Sequence, residues 1–256
     1  MTKIILSGCG GKMGRVITSM VAERDNCTIA AGIDPAMPQM GYPVFPDAAS
    51  VDENIEADVI VDFSHPSALA SLTVLARSRK LPLVEATTGL SEEQIASVKA
   101  LADTVPVFYS ANMSLGVSLL TELVKQATRV LGEQFDIEIV EKHHNQKVDA
   151  PSGTALMLAD AAASQLPEET AYVYDRHERR EKRPKNEIGI HSVRGGTIVG
   201  EHDVIFAGQD EVVTLSHQAM SKDIFAAGAV NAAVFVAGKK PGLYSMADLV
   251  NEGVIS

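Results

Sequence analysis

Cys9 and Cys27 are the only cysteines in this 256-residue sequence. They are too few for a disulfide framework, and that usage fits a reducing cytosol. Long apolar runs are missing too. None approaches the roughly 18–20 residues that a membrane span needs, and Lys3-Ile4-Ile5-Leu6 enters a strand at once, without a signal-peptide pattern. A cytoplasmic protein with no membrane association is therefore expected. Positive charge is also scarce. The net charge of −11 argues against nucleic acid as a partner, whereas an anionic small molecule answers to local charge rather than to the total. A core, in contrast, is affordable: 46% hydrophobic against 21% charged residues excludes disorder. The length suits one large or two medium domains.

The chain opens as strand, glycine loop, helix, strand. Lys3–Ser7 runs into Gly8-Cys9-Gly10-Gly11-Lys12-Met13-Gly14, helical spacing follows at Val16, Ile17, Met20 and Val21, and Thr28–Ile33 ends at Asp34. This layout binds dinucleotides. Glycines let the backbone approach a pyrophosphate at the helix start, and the acid accepts bonds from ribose hydroxyls. The glycines miss the strict G-x-G-x-x-G spacing, so a plain strand-to-helix turn is the competing reading. Strands at 58–63, 83–86 and 105–109 alternate with helices at 68–79 and from Ser91 to about Ala102, the latter opened by a Ser91/Gln94 capping box. Repeated β-α units imply a doubly wound parallel sheet with ligands at the carboxyl ends of its strands. Ser64, Thr87, Thr88 and Asn112 fall at those ends, where a nicotinamide would sit; each alone could equally be a turn or cap residue.

After an amphipathic helix over 115–131 the rhythm changes. Phe135, Ile137 and Ile139 alternate with Asp136 and Glu138, a loop carries His143, His144 and Lys147, and Pro151-Ser152-Gly153-Thr154 leads into a helix. The free N–H groups of a helix start beside a lysine and two imidazoles suit a carboxylate, so Ser152, Gly153 and Thr154 are substrate-site candidates. The cluster has three readings: a metal site, for which lysine is a poor ligand; a polar surface loop; or acid catalysis with anion binding, which complements a hydride donor. His65, His177, His191, His202 and His217 are scattered and expected to be structural. Arg176–Lys185 holds six Lys and Arg and reads as a solvated loop or edge. Strands at 187–193, 196–206 and 211–217 suggest a mostly antiparallel or mixed second sheet. The Ala-rich helix 224–236, apolar nearly all round, should return to cover the first domain.

The fold expected is α/β: an N-terminal Rossmann-type doubly wound parallel sheet plus a second α+β domain. The boundaries are 1–113 for dinucleotide binding, with 222–256 returning to it, and 114–221 for substrate.

The run HHNQKVDAPSGTA, with GCGGKMGR, ATTG at 86–89, SANMSLGV at 110–117 and GGTIVGEH at 195–202, resembles the dihydrodipicolinate reductase family, and the matches span nearly the whole chain in order. The resemblance implies NADH- or NADPH-dependent reduction of the cyclic dicarboxylate 4-hydroxy-tetrahydrodipicolinate, in diaminopimelate and lysine biosynthesis, by a homotetramer built through the second domain. It implies His143 as general acid and Lys147 as a second proton donor that also contacts substrate. His144, Gly153 and Thr154 would hold a carboxylate. Cofactor contacts would come from Gly8, Cys9, Gly10, Gly11, Lys12 and Met13, from Asp34, from Ala86, Thr87 and Thr88, and from Ser110, Ala111, Asn112 and Met113, with no metal. Ala86 and Met113 stand where many members carry Gly and an aromatic residue. Asp34 is followed by Pro35, not by a basic residue, which favours the ribose diol of NADH, although Lys12 could partly serve a 2′-phosphate. NADH is expected to be at least as good as NADPH. Competing functions are a related two-domain reductase of an amino-acid aldehyde and a dinucleotide-sensing protein without turnover.

Overall fold

The computed structural model describes residues 1–110 and 112–252, and the chain divides into two compact units. The first comprises Met1–Leu115 and the segment beginning at Asp223; the second is Gly116–Lys222. The first unit opens with β1 (Thr2–Ser7), α1 (Lys12–Ala22), β2 (Cys27–Ile33) and β3 (Val44–Phe45). Then come β4 (Val59–Asp62), α2 (Leu69–Arg79), β5 (Leu83–Glu85), α3 (Glu92–Leu101) and β6 (Pro106–Tyr109). The second unit takes most of α4 (Leu115–Leu131), then β7 (Asp136–His143), α5 (Gly153–Ala163), β8 (Ala171–Val173), β9 (Glu187–Arg194), β10 (Gly200–Ala207) and β11 (Val212–Ala219). Finally α6 (Asp223–Val236), β12 (Gly242–Tyr244) and α7 (Met246–Glu252) belong to the first unit again.

Seven parallel strands in the order β12-β6-β5-β4-β1-β2-β3 form the first sheet. Their apolar runs do not alternate with polar residues because both faces are covered. Ile4, Leu6, Val61 and Val84 pack with Ile17 of α1 and Val230 and Ala233 of α6. Ile5, Ile60 and Leu83 meet Leu72 and Leu75 of α2 and Val98 and Leu101 of α3 on the other side. Helix α6 is apolar nearly all round because most of it is buried; the half-buried Asn231 accepts from Arg24 at 2.7 Å. Helix α2 stops where Lys80 turns left-handed (φ 53°), two residues before Pro82. The Ser91/Gln94 capping box at α3 is formed and is worth about 1 kcal/mol. Between β1 and β4 the strand order reverses, the position at which open α/β sheets bind ligands.

The second sheet runs β11-β10-β7-β9-β8 and is mixed: β7 is antiparallel to β10 and parallel to β9. Alternation directs Ile137, Ile139, Val204 and Phe206 onto Leu120 and Val124 of α4 and Leu158 of α5. Two local expectations change. His143 is the last residue of β7, not part of the loop. The basic stretch at 176–185 is anchored rather than simply solvated: Arg176 and Arg179 pair with the buried Glu187, and Arg183 reaches Glu138 at 2.8 Å and Asp136 at 3.0 Å. Among the described residues, no helix is long and apolar enough to cross a membrane.

Candidate active site

In the first unit the glycine loop sits at the point where the strand order reverses. Gly8 has φ +78°, and a Cβ there would lie 2.5 Å from the carbonyl oxygen of Phe63, at the end of β4. Only glycine fits both demands. Gly14, in the first turn of α1, has its own reason to be glycine: a Cβ would meet the Gly8 carbonyl oxygen at 2.2 Å. The loop is braced by Asp34, whose Oδ2 accepts from Gly10 N at 2.9 Å while Oδ1 accepts from Ala36 N at 2.9 Å. A cleft of about 460 Å³ opens here, lined by Gly8, Gly11, Asp34, Phe63, Ser64 and His65 among others. No side-chain cap occupies the start of α1, so its first N–H groups and dipole face an incoming anion. The donor set fits a dinucleotide: a tight backbone cradle for pyrophosphate and a carboxylate with spare lone pairs for ribose.

Not every anticipated cofactor residue offers a side chain. Those of Cys9 and Met113 lie in the core, which leaves their peptide groups to meet a cofactor. Lys12 and Thr88 are exposed, Thr87 is buried and Ala86 half-buried. Ser110 donates its hydroxyl to the Asn112 carbonyl at 2.9 Å, and Asn112 Oδ1 caps Ser114 N at 2.8 Å. Ala111 lies outside the described residues.

The second unit gathers chemistry at one end of its sheet. His143 Nδ1 lies 2.6 Å from Glu141 Oε2. Glu141 is fully buried on the core face of β7, where Ile137 and Ile139 precede it. Arg194, on β9, grips this carboxylate with both terminal nitrogens, at 2.8 Å to Oε2 and 2.7 Å to Oε1, and Ser152 N donates to Oε1 at 3.1 Å. Burial alone would raise the Glu141 carboxyl, yet the bonds from Arg194, Ser192 and His143 outweigh it and bring the pKa down to about 2. An anionic Glu141 must accept, so His143 carries hydrogen on Nδ1, and its second ring nitrogen, Nε2, lies over Gly200 of β10. Burial lowers the pKa of His143, and the Glu141 carboxylate works against that shift. Lys147 pairs with Asp149 at 2.8 Å and stands close enough to His143 for its charge to be felt there. His144 is half-buried, at the start of a turn closed by Lys147 N on the His144 carbonyl.

Residues 2–113 match the family profile described as dihydrodipicolinate reductase, N-terminus, and residues 116–250 match the one described as dihydrodipicolinate reductase, C-terminus. The chain belongs to the dihydrodipicolinate reductase family. A 4-hydroxy-tetrahydrodipicolinate reductase from Caldanaerobacter subterraneus subsp. tengcongensis is 54% identical over 253 residues, covering 99% of this chain and 100% of the relative. One from Clostridium novyi is 49% identical over 251 residues, 98% of each chain. The solved dipicolinate-bound dihydrodipicolinate reductase from Paenisporosarcina sp. TG-14 matches at TM-score 0.80 and 26% identity, over 96% of this chain and 97% of that one. A myo-inositol dehydrogenase from Lactobacillus casei, at TM-score 0.59 and 15% identity over 97% and 90% of the two chains, shares the fold. Like its relatives, the chain is an oxidoreductase.

Within this reductase, Ser152 departs from what the motifs suggested. Ser152 is buried, and its hydroxyl is spent on capping α5 through Ala155 N (3.2 Å) and on His202 Nε2 (3.0 Å). It builds the site instead of facing it. His202, expected to be structural, lies beside the cluster: it stands opposite Glu141 in the β7–β10 ladder, with its ring 5.2 Å from that of His143. Burial, then the charge of His143, drives its pKa down to about 4, so it is neutral at physiological pH. Gly153 is exposed, and a Cβ there meets nothing within 4 Å, so the start of α5 is sterically accessible even though Ser152 Oγ already takes Ala155 N. In the other unit the steric demand is absolute: Gly14→Ala should abolish NADH binding, measured by fluorescence titration. Affinity within threefold of the parent would mean that the loop is not the cradle.

Proposed function

We propose that this chain reduces 4-hydroxy-tetrahydrodipicolinate to tetrahydrodipicolinate, a step of diaminopimelate and L-lysine biosynthesis, as a cytoplasmic homotetramer with domains at 1–113 plus 222–256 and 114–221. The observation that carries the reading is His143, held through Nδ1 by the buried Glu141–Arg194 pair at the accessible start of α5. The family works with a nicotinamide cofactor, which supplies hydride when bound. The balance then requires one proton from the protein side and the departure of one water from the substrate.

His143 Nε2 gives that proton, and Lys147 is the second donor and a substrate contact. His144, Gly153 and Thr154 hold a substrate carboxylate at the helix start, where N–H groups and the dipole favour negative charge. Arrival of a dicarboxylate raises the His143 pKa, since two negative charges favour the imidazolium. The acid is thereby loaded when substrate is present. Gly8–Met13, Asp34, Ala86–Thr88 and Ser110–Met113 form the cofactor side. Edge strand β11, with Val212 and Val213 exposed, supports assembly through the second sheet.

The test is NADH absorbance with the purified protein and freshly made substrate. Oxidation that needs both components is expected, with kcat/KM for NADH at least equal to that for NADPH, because Asp34 repels a 2′-phosphate. No substrate-dependent oxidation overturns the function, and a strong NADPH preference overturns the role of Asp34.

A further inference from the structure

Strands β4 and β5 each end on a carboxylic acid. Asp62 and Glu85 are partners in the parallel ladder, so their side chains leave the same face of the sheet, and both are fully buried. One oxygen of each is satisfied. Asp62 Oδ1 accepts from Ser64 N at 3.1 Å and Ser64 Oγ at 2.5 Å; Glu85 Oε1 accepts from Thr87 N at 2.9 Å. The other two, Asp62 Oδ2 and Glu85 Oε2, are buried with no hydrogen-bond partner. Two adjoining anions in that setting would each carry an uncompensated charge. A single proton between them satisfies both oxygens at once.

We propose that Asp62 and Glu85 share one proton, forming a buried carboxyl–carboxylate clamp that positions the turns after β4 and β5 for the nicotinamide end of the cofactor. The clamp rests on the cofactor reading above. Glu85 carries the proton and donates it to Asp62 Oδ2, because Asp62 collects more donors: Ser64 twice, with Ser7 besides. Burial, then the charge of Asp62, pushes the Glu85 pKa up to about 8. The turns themselves are stitched together, since Ser64 N also meets Thr87 Oγ1 at 3.2 Å.

The surroundings leave the pair to itself. β1 brings Ser7 opposite Asp62, and β6 brings Tyr109 opposite Glu85, its phenol pushed up by burial and then by the Glu85 charge. His65, next after Ser64, is exposed. Helices α2 and α3 turn Leu69, Leu72, Val98 and Leu101 inward on this face, while Arg77, Glu92, Glu93 and Lys99 are exposed and Arg79 is bonded to the Ile55 carbonyl. No lysine, arginine or histidine neutralises either acid among the described residues.

The sign follows from the raised pKa. Stabilisation by the neutral Glu85 is complete below its ordinary carboxyl range and is lost as pH rises through about 8. Above that point a second charge enters the clamp, the turns part, and NADH affinity falls, approaching about tenfold per pH unit.

Two measurements on the intact protein decide it. Infrared difference spectra of the cofactor-free chain between about pH 6.5 and 9.5 should show the carbonyl stretch of a neutral carboxylic acid at the lower pH, where solvated carboxyls are ionised, and Glu85→Gln should lack it. NADH titrations over the same range should show Kd rising in the parent and flat in Glu85→Gln, whose amide keeps donating to Asp62. A spectrum without that band, or a parent Kd that does not change, overturns the clamp. A chain that binds no NADH at any pH overturns the cofactor reading and with it the positioning role, while the infrared band still decides the shared proton.

Discussion

Replacing His143 by Gln lowers kcat by about 10²–10⁴-fold, the usual worth of a positioned general acid, and leaves the Kd for NADH unchanged, because the residue lies in the other unit from the glycine loop. Glutamine keeps a donor toward Glu141 but cannot carry the transferable proton. The companion measurement is the pH profile of kcat/KM. Activity falls as pH rises through the His143 pKa, since the acid is the protonated form. Burial sets that pKa below the ordinary histidine value and the Glu141 carboxylate partly restores it. In Glu141→Gln the restoring charge is gone, so the alkaline limb moves to lower pH. A rate unchanged in His143→Gln, or a limb that stays where it was in Glu141→Gln, removes His143 from the proton path.

The residues that hold His143 in place were harder to read than His143 itself. The glycine loop and Asp34 are legible because their demands are local: a backbone that must approach another backbone tolerates no Cβ, whatever the rest of the chain does. The βα rhythm is legible for a similar reason, since a sheet covered on both faces writes unbroken apolar runs into its strands. Glu141, Arg194 and His202 are far apart in sequence and meet only through the pairing of β7 with β9 and β10. A signal existed. Period-two alternation places Glu141 on the face of Ile137 and Ile139, and His202 on the face of Val204 and Phe206. A carboxylate at a core-facing strand position needs a buried partner. The pattern did not say which arginine supplies it. Strands β3, β8 and β12, two or three residues long, are too short to show any period; β5 is as short, but its apolar run stands between helices α2 and α3 in the βα rhythm.

Arg194→Ala should be the most destabilising change at this site, by about 3–5 kcal/mol, the range for removing one partner of a buried ion pair. The bonds that hold Glu141 ionised, of which Arg194 makes the largest, together give a similar size. The Glu141 carboxyl titrates near 2 against an ordinary 4.5, a difference of roughly 2.5 pH units, or about 3 kcal/mol at roughly 1.4 kcal/mol per unit. That stabilisation is present above the ordinary carboxyl range and is lost as pH falls through 4.5 toward 2. Without Arg194, burial dominates and the Glu141 pKa rises above its ordinary value, so acidification, which neutralises the stranded carboxylate, returns stability to the variant over the range in which the parent loses it. Ser152 N and His143 still bond Glu141, yet neither supplies a permanent positive charge. Calorimetry with and without NADH separates the units, because cofactor raises the transition of the glycine-loop unit and leaves the other in place. The transition that NADH does not move should drop in Arg194→Ala and recover in part in Arg194→Lys, which restores charge without the two-pronged grip. A loss under about 1 kcal/mol in Arg194→Ala would mean that water, not Arg194, neutralises Glu141, and the anchoring of His143 would have to be sought elsewhere.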